Sequence, residues 1–271
     1  MAFDLSEVDA GLAGTAFAGH VLHLHSVSST NTLALEAAQA GTRIGVWVAD
    51  EQTAGRGRGG HSWHSAVGDG LYVSALVTPA LPLAMALRIS LATGLAAKQA
   101  IREAVGLDVD IRWPNDLLAN GKKCGGILVE TAILPATDTE VESALRYAVI
   151  GIGINLNHES FPQEIAHLAT SLRIEGGHRV KRERLLVALL CALEKELNQL
   201  ARVVGDDLLA RFTAVSTWVR GKRVRVDESG GYTGVTAGLD ARGFLLVDGE
   251  DGIRRTVLSG GVRELAESEP C

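Results

Sequence analysis

Apolar and polar positions alternate along residues 20–27 (HVLHLHSV), the period-two pattern of a half-buried strand. Thr30-Asn31 then opens an alanine- and leucine-rich stretch that stops at Gly41, which predicts a helix with an N-terminal cap and a glycine stop. Residues 45–50 and 71–77 have the β-branched and aromatic content of strands, and the glycine-dense GRGRGG of 55–60 lies between them. Over 83–105 apolar positions recur at helical spacing, with Arg88, Lys98, Arg102 and Glu103 off that face. Pro114 stops a strand at 110–113, and Asn120-Gly121 predicts a hairpin joining Leu117-Leu118 to 125–131. Residues 146–157 read as an apolar strand with a polar end, followed by helices over about 181–201 and 205–216.

From about residue 219 the pattern shortens to five alternating strands with Gly-Gly, Asp-Glu-Ser and Gly-Glu-Asp-Gly turns, as in a small barrel of the SH3-like kind. The expected fold is α+β: a mixed β-sheet with flanking helices over 20–218, and a small C-terminal SH3-like β-barrel over 219–271. Residues 1–19 carry Gly11 and Gly14 but no period, and are expected to be a leader.

Composition narrows the function classes. The 271 residues are 46% hydrophobic and 21% charged, which excludes a disordered or collagen-like chain. The net charge of −6 gives no basic excess for coating nucleic acid, so DNA binding is not expected. Cys124, Cys191 and Cys271 are odd in number and far apart, which argues against a disulfide framework or a zinc site. The first basic residue is Arg43, and the longest charge-free apolar run, 185–193, is too short for a membrane span. A cytoplasmic protein without a membrane partner is the expectation.

Four segments could carry chemistry. In GRGRGG, Arg56 and Arg58 could both face one anion across a loop whose glycines admit close approach; a surface turn with solvated arginines is the plainer alternative. It lacks the GK[ST] of a P-loop and the third glycine and helix of a dinucleotide fingerprint. In RWPNDLLANGKKCGGILVE (112–130), Asn115 and Asp116 sit at a strand end, where ligand groups are common, and Lys123 precedes Gly125-Gly126; capping and a solvated lysine are the alternatives. GIGIN (151–155) puts two glycines on one side of a strand, with Asn155 beyond. Ser29-Thr30-Asn31 either caps the helix or hydrogen-bonds a small polar group. His23 with His25, and His61 with His64, lack the further donors that a zinc set needs. There is no GxSxG or Ser-His-Asp arrangement.

Taken in order, STN, EQTAGRGRGGHSW, RWPNDLLANGKKCGGILVE and GIGINLN resemble the biotin protein ligase family over most of residues 25–265, and SGGV (259–262) resembles its closing turn. The resemblance implies a class II synthetase-like catalytic domain. It also implies an enzyme that makes biotinyl-5′-AMP from biotin and ATP with Mg²⁺, then passes biotin to a lysine of a biotin carboxyl carrier protein domain. By the same resemblance Ser29, Thr30, Asn31 and Gln52 would bond the ureido ring, and Gly55, Arg56, Gly57 and Arg58 would fold over biotin and phosphate. Lys123 would touch both carboxylate and phosphate, with Gly125, Gly126 and Leu128 as the floor and Trp63 supporting the loop. Asn115, Asp116 and Asn155 would face the nucleotide, Asp116 on the Mg²⁺ side, with His61 near the phosphates. Lys123, Arg58 and Asp116 are the expected catalytic set, Asp116 also being a candidate base for the incoming lysine.

Two positions depart from the family pattern GRGRxGRxW and its lysine before WPND: His61 stands where a basic residue is usual, and Arg112 replaces the lysine. A neutral histidine forgoes a charged hydrogen bond of about 1–3 kcal/mol. About 20 residues precede the first strand, too few for the winged-helix domain of some members, so a monofunctional ligase without repressor activity is expected. The sequence is compatible with a homodimer. A lipoate or octanoate ligase is the nearest rival, and a non-catalytic adenylate-binding regulator is the rival of another class.

Overall fold

The computed structural model describes residues 3–134, 143–202, 207–228, 230–259 and 261–265. Seven strands form its larger sheet: β1 (Val21–Val27), β2 (Gly45–Gln52), β3 (Gly70–Val77), β4 (Asp110–Arg112), β5 (Asp116–Ala119), β6 (Lys122–Leu134) and β7 (Ala144–Asn155). Their order is β1-β2-β3-β7-β6-β5-β4, with β1 and β2 parallel and every other pair antiparallel. The hairpin between β5 and β6 turns at Asn120 (φ 48°) and Gly121 (φ 76°), the two positive-φ positions of a type I′ turn, for which Asn-Gly is the favoured pair.

The helices divide between the two faces. α2 (Thr30–Gln39) sets Ala34 and Ala38 against Leu76, Tyr147 and Val149. On the other face lie α3 (Ala86–Val105), which ends on the left-handed Gly106, and α5 (Arg182–Arg202). The apolar run noted at 185–193 is thus a core stripe: Leu185, Leu186, Leu189, Leu190 and Leu193 are all fully buried, each stabilising by about 1.5–3 kcal/mol. α1 (Leu5–Gly11) corrects the expectation of a patternless leader. Asp4 caps it by accepting from Ser6 N (3.0 Å) and Glu7 N (3.2 Å), and Val8, Leu12 and Phe17 are buried in the core. Three apolar anchors over ten residues are too few to show a period, which is why the sequence hides this helix.

α4 (Leu172–Gly176) and α6 (Asp207–Val215) complete the helices. The expected start of the last at 205–206 lies outside the described residues, as do Gly260 of the SGGV turn and residues 266–271. The second sheet is antiparallel: β8 (Arg220–Val226), β9 (Tyr232–Leu239), β10 (Leu245–Gly249), β11 (Arg254–Val257) and β12 (Val262–Glu264), in the order β11-β10-β9-β8-β12. Five strands are present as expected, but among the described residues no pairing joins β11 to β12. The sheet docks on the body through the Trp113 indole, which donates to Gly243 O at 2.9 Å, and through the Arg88 guanidinium, which donates to Ala241 O.

Candidate functional site: a charged cleft over a glycine floor

On the α2 face of the larger sheet, β7 pairs with β3 and β6 so that Gly153 opposes Tyr72 and Gly126, while Gly151 opposes Ser74 and Leu128. These glycines clear a floor. A Cβ at Gly151 would lie 2.1 Å from Asn31 Oδ1, and one at Gly153 would lie 2.6 Å from the Trp63 ring. The result is an open cleft.

One end of the cleft is a buried polar cluster at the start of α2. Ser29, Thr30 and Asn31 are 3–4% exposed. Ser29 occupies the N-cap position but makes no side-chain capping bond. Gln52 Oε1 accepts from Thr30 N (2.9 Å) and Thr30 Oγ1 (3.1 Å), while Ser74 Oγ lies 2.7 Å from Thr30 Oγ1 and donates to Asn31 Oδ1 at 2.5 Å. Asn31 Nδ2 donates to Glu130 Oε2 at 2.8 Å. Polar groups this buried are retained for hydrogen bonding, and here they converge on one concave spot.

The other end is cationic. The loop after β2 brings Arg56, Gly57 and Arg58 over the cleft, held by Gly57 N donating to His61 O (2.6 Å) and Trp63 N donating to Gly55 O (2.9 Å). Each cation faces a carboxylate. Arg56 pairs with Glu130 at 2.6 Å. Lys123 Nζ meets Asp116 Oδ1 at 2.5 Å and lies 5.3 Å from the centre of the Trp63 ring, while Arg112 takes Asp116 Oδ2 at 2.6 Å. Burial raises the Asp116 carboxyl, but the Lys123 and Arg112 charges outweigh it and hold the group below its ordinary range. Burial lowers the Arg58 guanidinium, opposed by attraction to Asp116 and to Glu228 in the turn after β8 (Arg220–Val226).

Most of the sequence candidates therefore meet: Ser29, Thr30, Asn31, Gln52, Arg56, Gly57 and Arg58 line the cleft, as do Trp63, Asn115, Lys123, Gly126 and Leu128. Five do not. Gly55 serves the loop turn, since a Cβ there would lie 2.8 Å from Trp63 O. Gly125 points to the opposite face, where a Cβ would meet Leu117 at 2.8 Å, so it is no part of the floor. His61 is exposed at the loop tip. Asn155 is spent on Thr170 O at 3.0 Å, behind Lys123. Asp116 acts from behind Lys123. Held between two cations, it is a weak base, which counts against deprotonation of an incoming lysine. Both its oxygens are engaged, so it does not fit direct ligation of Mg²⁺, and among the described residues no cluster of three metal-ligating side chains occurs.

The sequence reading missed Ser74, Glu130 and Glu228. Ser74 is the lone polar residue in the apolar strand LYVSALV, and Glu130 shares the parity of Gly126 and Leu128 along β6; both signals were present. Glu228 had none, because it reaches Arg58 only through the docking of the second sheet.

The pattern of the Biotin/lipoate A/B protein ligase family matches residues 24–155. Over 260 residues the chain is 34% identical to the bifunctional ligase/repressor BirA of Bacillus spizizenii, covering 92% of this chain and 76% of that protein. It is 33% identical to the biotin–[acetyl-CoA-carboxylase] ligase of Mycobacterium tuberculosis, covering 86% of this chain and 84% of that one. Among solved structures it is similar to the biotin protein ligase from Aquifex aeolicus in complex with biotin and ATP, with a TM-score of 0.75, 28% identity and coverage of 91% of this chain and all of that one.

Proposed function

The chain belongs to the biotin protein ligase family, and from that premise we propose that it activates biotin with ATP and transfers it to a lysine of a biotin carboxyl carrier protein domain. The observation that carries the reading is the cleft itself, with a buried hydrogen-bonding pocket at one end and Arg56, Arg58 and Lys123 at the other. A ureido ring suits the first and a carboxylate abutting a phosphate suits the second. An alkyl acid such as octanoate would bring no hydrogen-bonding group to this polar pocket, whereas a ureido ring would, which favours biotin.

In the first step a biotin carboxylate oxygen attacks the α-phosphorus of ATP as the bond to pyrophosphate breaks. In the second a lysine amine attacks the acyl carbon and AMP leaves. Neither step needs a protein nucleophile. The chain supplies orientation and positive charge, from Lys123 and Arg58, where two anions are pressed together. Mg²⁺ carried in with ATP would offset triphosphate charge, without Asp116 as a direct ligand.

Several finer points belong to the same proposal. Residues 20–218 act as the catalytic unit, with 219–271 closing into an SH3-like barrel. The free cysteines Cys124 and Cys191 favour a cytoplasmic setting. The net charge of −6 favours a ligase without operator binding. Among the described residues no strand pairs with the outer edge of β6 beyond residue 126, an edge beside the cleft on which a β-rich carrier could align. The test is pyrophosphate exchange into ATP with biotin, lipoate or octanoate. Exchange with biotin alone is expected, and exchange with the alkyl acids would move the chain to the lipoate branch.

A further inference from the structure

One oxygen in the site serves two ends of the cleft. Glu130 Oε2 accepts from Asn31 Nδ2 at 2.8 Å and from the Arg56 guanidinium at 2.6 Å. Asn31 belongs to the polar pocket at the start of α2, and Arg56 belongs to the glycine-rich loop. Glu130 itself stands on β6, on the cleft face with Gly126 and Leu128 and opposite Val149 of β7, so its backbone is held by pairing with β7.

We propose that Glu130 is a positioning residue that anchors the glycine-rich loop through Arg56 and ties that anchoring to occupancy of the Asn31 pocket. The inference rests on the biotin-ligase reading for the identity of the ligands, but not for the anchor. It assigns Arg56 a role apart from Arg58 and Lys123, which remain the cations for the reacting carboxylate and phosphate.

The physical case turns on the shared oxygen. The Arg56 and Glu130 side chains are 43% and 28% exposed, and an isolated pair that exposed holds a loop only weakly. Asn31, however, is 4% exposed and itself held by Ser74, so it fixes the direction of the carboxylate before Arg56 arrives. A head group that bonds the Asn31 amide changes what Asn31 offers Glu130, and Glu130 then changes what it offers Arg56. Such coupling is reciprocal: whatever the pocket ligand does for the loop, the closed loop does for the ligand.

The experiment uses full-length protein and Glu130→Gln, which keeps the side-chain shape and an oxygen for Asn31 but removes the charge that holds Arg56. Trypsin cleavage after Arg56 and Arg58 reads the loop directly, with and without biotin, and release of biotinyl-5′-AMP is followed in parallel. Biotin is expected to slow cleavage of the wild type and not of the variant, and the variant should release the adenylate about tenfold faster, within the usual range of coupling between sites. A simple loss of folding would instead raise cleavage throughout the chain. Protection and release equal to the wild type would overturn the anchor while leaving biotin activity intact. If the wild type shows no biotin-dependent exchange, the functional reading fails separately. The cleavage rates without biotin then decide: faster cutting of the variant upholds the anchor, and equal rates remove it.

Discussion

Gly151→Ala isolates the polar pocket from everything else in the cleft. The added methyl would sit 2.1 Å from Asn31 Oδ1, whereas ordinary contact begins near 3.4 Å, so the amide must retreat by about 1.3 Å. Gly151 lies in β7 with no left-handed backbone angle, so alanine adds no strain of its own. The retreat is not free, because it breaks the bonds from Ser74 (2.5 Å) and to Glu130 (2.8 Å). A neutral hydrogen bond contributes about 0.5–1.5 kcal/mol and one to a charged group about 1.5–3. Those losses fall on folding stability; what falls on a ligand is the bond that the displaced amide no longer makes, whose unpaired partner costs about 1–3 kcal/mol, roughly 5- to 150-fold in affinity. Titration calorimetry with biotin measures it, with circular dichroism to establish that the sheet is intact. Gly126→Ala gives the comparison at the cationic part of the floor, since its methyl would meet Trp63 at 3.0 Å and Lys123 Cε at 3.3 Å rather than Asn31. Biotin affinity within about threefold of the wild type for Gly151→Ala would refute the placement of the head group at Asn31.

Lys123→Ala should lower biotin-dependent pyrophosphate exchange by about 100-fold or more, as loss of a preorganised charge does; near-normal exchange would remove Lys123 from the reaction. For Asp116, the folded carboxyl is held below its ordinary value, so its stabilising contribution is complete above about pH 3.8 and is lost as pH falls through the lower folded value. Urea midpoints from pH 7 to 3 should therefore fall more steeply below 3.8 in the wild type than in Asp116→Asn, and parallel curves would contradict the ion pairs. Burial pushes the Cys124 thiol up to about 12, so iodoacetamide at pH 8 should leave Cys124 unmodified until denaturant is added, as peptide mass mapping would report; native labelling would mean that β6 opens.

Legibility in the sequence followed the range of the interaction. The larger sheet and its helices were readable because period, Asn120-Gly121 and the glycine stops are local signals. The polar pocket was readable from Ser29-Thr30-Asn31, and the cationic loop from Arg56 and Arg58, although only pairing across β3, β7 and β6 shows that they share one cleft. Gly125 and Gly126 look alike in sequence, yet a bulge in the β5–β6 register and strand alternation send one to the core and the other to the floor. Helix α1 and Glu228 were hidden because each depends on a surface supplied by distant chain: Glu183 of α5 for Asp4, and the docked second sheet for Arg58.

The carboxylates that face Arg56, Lys123 and Arg58 also bear on how the cleft can hold its charges. Three cations facing one another over a glycine floor would repel, yet Glu130, Asp116 and Glu228 each stand opposite one of them. Two of these carboxylates are fixed from elsewhere: Asp116 by Arg112, and Glu228 by Ser259 Oγ at 2.6 Å and the Leu258 amide at 3.1 Å. On the proposed function, an incoming carboxylate and phosphate would compete for Lys123 and Arg58 without unfastening Asp116 or Glu228. The arrangement keeps the cations in place and oriented while leaving them exchangeable, which is what a site that must join two anions requires.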